Sequence, residues 1–193
     1  MQNNYEILIE KLNRFIRAYY KNLILRGLIY SSISLFAILI VFAFIEHFTF
    51  LNGTIRSVFF WSYCLSIMMI IVNFIIIPAV KMMKLTSTHL THKEAANIIG
   101  QHFKQVSDKL INILELKSLN AGSKDLIYAS IDQKIQEIQL TPFNNAVDWS
   151  STIKYSKYLL IPVLFMLILI VSGNKEIISD STFRIINYNT HFE

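Results

Sequence analysis

The sequence predicts an all-α integral membrane protein. It should have three transmembrane helices, a small three-helix cytoplasmic domain between the second and third, and a short C-terminal extended tail. Three observations point there. The chain is 53% hydrophobic and only 16% charged, whereas soluble domains average about 45–50% and about 25%. The apolar residues are gathered in three blocks. Lys and Arg collect at the edges of those blocks, as they do beside membrane spans.

The first 26 residues precede any apolar block. Leu8, Leu12, Phe15 and Tyr19 recur at helical spacing, with Arg14, Arg17 and Lys21 off that stripe. This predicts a basic amphipathic helix over 1–26. Such a helix either lies on the membrane surface, packs against a neighbour, or simply extends the first span.

The first block, 27–45, and the second, 58–80, carry no charge. Roughly 20 apolar residues cross a hydrocarbon core of about 30 Å, and only a helix satisfies its own backbone there. Both blocks are therefore expected to span. The third block, Tyr158–Val171, is shorter. Lys154 and Lys157 can snorkel to the headgroups, and Tyr155 and Tyr158 suit the interface. The expected span is 155–173; the alternative is a helix buried against the other two. Pro162 falls near its start, where a missing amide costs least.

The basic residues set the orientation. Lys11, Arg14, Arg17, Lys21 and Arg26 precede the first span, while the link 46–57 holds only Arg56. Lys81 and Lys84 follow the second span; Lys154 and Lys157 precede the third. The N-terminus and residues 81–157 are thus expected in the cytoplasm, and the link and the tail 174–193 on the other side. Arg26, Arg56, Lys81, Lys84, Lys154 and Lys157 are the expected membrane-interface anchors. The net charge of +5 then reflects topology and attraction to anionic lipid. A nucleic-acid surface would need a basic stripe on a soluble fold, so no nucleic-acid partner is expected.

The segment 85–152 is the only sizeable water-soluble stretch. Thr91-His92-Lys93-Glu94 has the capping-box pattern, followed by the apolar face Ala95, Ile98, Ile99 and Phe103. Ser107 is expected to cap a second helix, Asp108–Leu119, with Leu110, Ile111, Leu114 and Leu116 inward. Asn120-Ala121-Gly122 breaks it, and Ser123 can cap a third helix, Lys124–Gln139, striped by Ile127, Ile131, Ile135 and Ile138. Thr141-Pro142 ends it. Such a core is marginal by itself, so help from the membrane helices or a partner is expected. In the tail, the β-branched and aromatic residues of Ser181–Glu193 predict a strand with no partner in this chain.

Chemistry-bearing motifs are absent: no P-loop, no G-x-G-x-x-G, no C-x-x-C, H-E-x-x-H or G-x-S-x-G. No catalytic, cofactor-binding or metal-binding residue is expected. His89 and His92 with Glu94 offer ligand types, but two His at a helix start more often form a solvated cap. Asn52-Gly53-Thr54 matches a glycosylation sequon yet reads more plainly as a turn. Asn73 is the strongest polar group inside the second block and can hydrogen-bond a neighbouring helix. Ser31, Ser32 and Ser34 either do the same or bond their own backbone. Cys64 is alone, so no intrachain disulfide forms. The first apolar block is too long and too far in for a cleavable signal core.

Several short stretches carry a family resemblance. Glu94-Ala95-Ala96, Ile98-Ile99-Gly100, His102-Phe103 and Asp108-Lys109-Leu110 resemble the cytoplasmic segment of a Bacteroidetes-type family of large membrane proteins, known as domain of unknown function 4175. Asn4-Tyr5-Glu6, the hydropathy pattern and Arg184-Ile185-Ile186-Asn187-Tyr188-Asn189-Thr190 are similar as well. The resemblance covers essentially the whole chain and supplies no catalytic residues; the ATPase label on some members has no support in this stretch. It implies a multi-pass inner-membrane protein of the bacterial cell envelope, N-terminus cytoplasmic and C-terminus periplasmic. Members run on into long extracytoplasmic regions, so the chain is expected to be the N-terminal fragment of a longer protein. The expected role is a membrane-anchoring and interaction module, touching the lipid bilayer and a protein partner or a second copy through its cytoplasmic helices. The alternative is an accessory subunit of a transport or secretion complex.

Overall fold

The computed structural model describes residues 2–83, 89–118, 124–138 and 140–190, with backbone alone at 2, 3, 118 and 124–130. In chain order the helices are α1 (Gln2–Thr49), α2 (Gly53–Ile71), α3 (Ile77–Met82), α4 (His92–His102), α5 (Lys104–Ser118), α6 (Lys124–Ile138), α7 (Trp149–Ser156), α8 (Leu160–Val171) and α9 (Glu176–Ile186). No strand occurs among the described residues. Three helical runs are long and apolar enough to cross a membrane: Asn4–Thr49, Gly53–Met82 and Trp149–Val171. The chain packs as two compact units. One joins Met1–Asn22 to Ala79–Trp149; the other joins Leu23–Pro78 to Ser150–Glu193.

In the first unit the N-terminal stripe finds its neighbour. Leu8, Leu12, Phe15, Ile16 and Tyr20 are buried in one core with Ala95, Ala96, Ile99, Val106, Leu110, Ile113, Ile131, Ile135 and Ile138. The arm is also an extension of the first span, since α1 runs unbroken for 48 residues. It supplies the fourth helix that a marginal three-helix core lacks. Each large apolar side chain so buried contributes about 1.5–3 kcal/mol. Tyr20 adds a polar tie, its hydroxyl accepting from the Leu90 amide at 2.8 Å.

The Thr91–Glu94 capping box forms as expected. The Thr91 hydroxyl takes the Glu94 amide, and the Glu94 carboxylate takes the Thr91 amide. The second helix departs from expectation. It starts at Lys104 rather than after a cap at Ser107, which lies inside α5. Ser107 has another use: its side chain fills the space that a Cβ on Gly100 would need. That close approach of α4 and α5 outweighs the capping preference of a serine. Phe143 and Val147, around a 3-10 turn at Phe143–Ala146, complete the core. Asn120-Ala121-Gly122, Ser123 and the side chain of Ile127 lie outside the described residues.

In the second unit Pro78 shapes the second span. It has no amide to donate to the Phe74 carbonyl four residues back. The helix widens there into a π segment, Val72–Ile76, with Ile77 N–H bonding Val72 O, before α3 resumes. Gly27 of α1 meets this point. A Cβ on it would lie 2.7 Å from the Phe74 carbonyl oxygen, so only glycine permits that approach. Farther along, Phe42 stacks on Phe59 at 4.5 Å. The third run gains length from α7 and a 3-10 turn at Lys157–Leu159. Its 23 residues reach about 34 Å, enough to span.

The tail corrects an expectation. Residues 181–186 belong to α9, not to a strand, and turns follow. Ser181 and Ile185 are buried, and Tyr188 meets Phe60 at 5.4 Å. Those positions are four and three apart, a helical face laid against α2. Residue type had favoured a strand, but β propensity is weak where packing decides.

Candidate functional site: an apolar cleft with a basic mouth

The cleft belongs to the second unit. From α1 it is lined by Tyr30, Ile33, Ala37, Ile40 and Val41. The opposite wall is Tyr155 of α7, Tyr158 of the 3-10 turn, and Ile161, Pro162 and Phe165 of α8. Its volume is about 660 Å³ and its walls are almost wholly apolar, within the 300–1,000 Å³ range of small-molecule sites. It exists because the two runs touch at its ends: Tyr30 packs edge-on against Tyr155 at 5.3 Å, and Phe44 against Phe165 at 5.7 Å. Ala37 between them is too small to close the gap.

Arg26 sits at the Tyr30–Tyr155 end. Its guanidinium lies 5.4 Å from the Tyr30 ring and 5.3 Å from the Tyr155 ring. Its Nε donates to the Tyr30 hydroxyl at 3.3 Å. Lys154 and Lys157 are exposed on the turns that carry Tyr155 and Tyr158. Arg26 therefore stands at one end of the cleft, and Lys154 and Lys157 adjoin two of its lining residues in sequence, a grouping that single-residue reasoning missed. Arg26 and Tyr30, four apart in α1, and Tyr155 and Tyr158, three apart before α8, were the available signal.

The other anchors differ. Lys81 is half-buried, and Lys84 lies outside the described residues. Arg56 is 5% exposed, so it does not reach for headgroups as expected. Its Nε bonds Glu46 Oε1 at 2.9 Å, and Glu46 is fully buried. Arg184 of α9 brings its own Nε to 3.4 Å from the same oxygen and stacks its guanidinium on Phe50 at 5.0 Å. The turn beneath is tight. Phe50 has φ 45°, a left-handed conformation that costs a bulky residue about 1–2 kcal/mol. Asn52 caps α2 by accepting from the Ile55 amide at 3.1 Å, so its side chain serves the turn rather than a sequon. Glu46 is the first charge after one apolar block and Arg56 the last before the next. A helical hairpin brings such residues level, which was a usable signal for this pair.

The polar residues proposed within spans mostly serve their own helices. Asn73 is exposed and donates to Met69 O at 2.8 Å, not to a neighbour. Ser31 and Ser32 donate to Gly27 O and Leu28 O. Tyr63 reaches Leu35 O at 3.4 Å. In the first unit His92 meets Asn13 at 3.1 Å, and backbone and hydroxyl hydrogen bonds from Thr91 hold the Glu94 carboxyl below the usual range. Among the described residues no group of three or more His, Cys, Asp or Glu is placed to hold a metal ion. A recess of about 570 Å³ opens between the α4–α5 junction and Leu140–Pro142, with Leu140 almost fully exposed. Comparison with protein-family models, with curated proteins and with solved structures finds no match to the chain.

Proposed function

We propose that the chain is a membrane-anchoring and interaction module of a bacterial cell-envelope protein. The observation that carries this reading is the division of labour along α1. One helix gives Leu8 to Tyr20 to an amphipathic helical core and then continues as an apolar run of membrane length. A fold of this kind ties a water-facing domain to a bilayer. The resemblance to the Bacteroidetes-type family of large membrane proteins supports the same reading.

The orientation we favour keeps the N-terminus and residues 81–157 in the cytoplasm of an inner-membrane protein, for the basic flanks given above. Two measurements test the proposal. The chain should stay with membranes after alkaline carbonate extraction, and reporter fusions at Gly53, Gly122 and Asn187 should read outside, inside and outside. A chain stripped off by carbonate, or an inside signal at Gly53, overturns it. Cross-linking in whole membranes should capture a partner or dimer that Leu140→Glu abolishes.

The second reading, an accessory subunit of a transport or secretion complex, is favoured by the buried Glu46–Arg56–Arg184 cluster. Ionisable groups buried in a membrane unit often mark such roles. If that reading holds, Glu46→Gln lowers transport by the assembled complex by more than the accompanying loss of folded chain accounts for.

A further inference from the structure

We propose that the cleft between α1 and α8 is a binding site for one anionic phospholipid, with an acyl chain in the cleft and the phosphate on Arg26, Lys154 and Lys157. The inference rests on the membrane reading above and adds a ligand to it.

Dimensions make the first argument. Tyr30 to Val41 are eleven residues apart on one helix, or about 16 Å. That is roughly half of a 30 Å hydrocarbon core, the depth of one leaflet and of one acyl chain. The cleft starts beside Arg26, immediately before the uncharged block, and on α1 it ends at Val41, about 21 Å into that block.

Charge complementarity makes the second. Arg26 stands at one end, the exposed Lys154 and Lys157 adjoin the lining Tyr155 and Tyr158 in sequence, and the walls are apolar. Each basic residue near an anionic membrane surface contributes about 1 kcal/mol. Arg26 is also preorganised. The Tyr30 and Tyr155 rings meet the guanidinium at similar distances, and its Nε donates to the Tyr30 hydroxyl. Arginine takes phosphate through N–H groups in a fork. Tyrosines at this depth suit the interface between the phosphate and the chains.

The test is native mass spectrometry of the full chain, delipidated in detergent and then titrated with dioleoyl phosphatidylglycerol or dioleoyl phosphatidylcholine. Carbonate extraction comes first; a chain that leaves the membrane there refutes the membrane reading itself, separately from the lipid site. The parent should retain one phosphatidylglycerol in preference to phosphatidylcholine. Arg26→Gln is an exposed, conservative change and should weaken phosphatidylglycerol about fivefold while leaving phosphatidylcholine alone. Ala37→Trp fills the cleft and should weaken both. Equal retention of the two lipids by the parent, or unchanged retention by Arg26→Gln, overturns the proposal. So does an Ala37→Trp protein that keeps its lipid but loses a dimer, which would give the cleft to a second copy.

Discussion

Removing the Glu46 carboxylate should loosen α9 and destabilise the second unit strongly. The Glu46 side chain is 0% exposed and that of Arg56 6%, so the discount for solvent screening of surface pairs does not apply. Deleting one partner of a buried pair leaves the other charge uncompensated, at about 3–5 kcal/mol. Arg184 is held less firmly, at 3.4 Å and 17% exposed, with a ring contact to Phe50. Its share is about 1 kcal/mol. Glu46→Ala should therefore lower the unfolding midpoint in a detergent titration and raise amide exchange in Ile178–Ile186 about fivefold or more. Arg56→Met should cost more than Arg184→Met, since the first is the closer and drier partner. The combination Glu46→Leu, Arg56→Met and Arg184→Met should recover much of the loss, because an apolar replacement of a whole buried cluster is often neutral. If Glu46→Ala leaves both the midpoint and the exchange of α9 unchanged, the cluster does not hold the tail and the reasoning fails.

Other perturbations test other joints. Gly27→Val should cost about 1–3 kcal/mol by forcing α1 off the Phe74 carbonyl, measured as a lowered midpoint in the same titration. Ile131 is 2% exposed, so Ile131→Asp places an unpaired charge in a small core and should open the first unit to protease; a parent-like digestion pattern refutes the core assignment. Glu94 carries an acid-sensitive contribution. Its folded carboxyl is held below the ordinary value by the Thr91 amide and hydroxyl, so the stabilisation is present above the ordinary glutamate range and is lost as pH falls through the lower folded value. Glu94→Gln should flatten that acid limb in circular dichroism at the first unit.

Much of the fold was legible because it follows from period and length. Leu8, Leu12 and Phe15 repeat at helical spacing, and all three are buried. Thr91 and Glu94 form the cap their spacing describes. What the sequence did not show were choices made by tertiary contact. Ser107 reads as a cap until Gly100 is seen to need its side chain as a neighbour. Phe143 and Val147 join the core from a 3-10 turn, which has no apolar period to detect. The tail misled for the same reason. Ile185 and Tyr188 have strand-like residue types, yet Ile185 is buried in a helix and Tyr188 meets Phe60 from the turn that follows it.

The membrane-interface residues show why position along the chain is a poor guide to role. Arg26 and Arg56 each stand at the edge of an uncharged block, and block edges are where cations meet headgroups. Their surroundings separate them. Arg26 is flanked by tyrosines four residues on and across the cleft, so it remains exposed at the mouth of an apolar site. Arg56 lies one helical turn into α2, just after a turn too short to leave it in water. Phe50 closes α1 in a left-handed conformation with its amide on Glu46 O, and Asn52 already caps α2. That turn brings Glu46 and Arg56 level, and α9 then covers them with Arg184. The strain at Phe50 persists because the ion pair, the cap and the ring contact with Arg184 all specify the same backbone. Two residues of one chemistry at equivalent sequence positions thus diverge, one exposed beside tyrosine rings and one drawn into a buried clasp, through the length of the turn between α1 and α2.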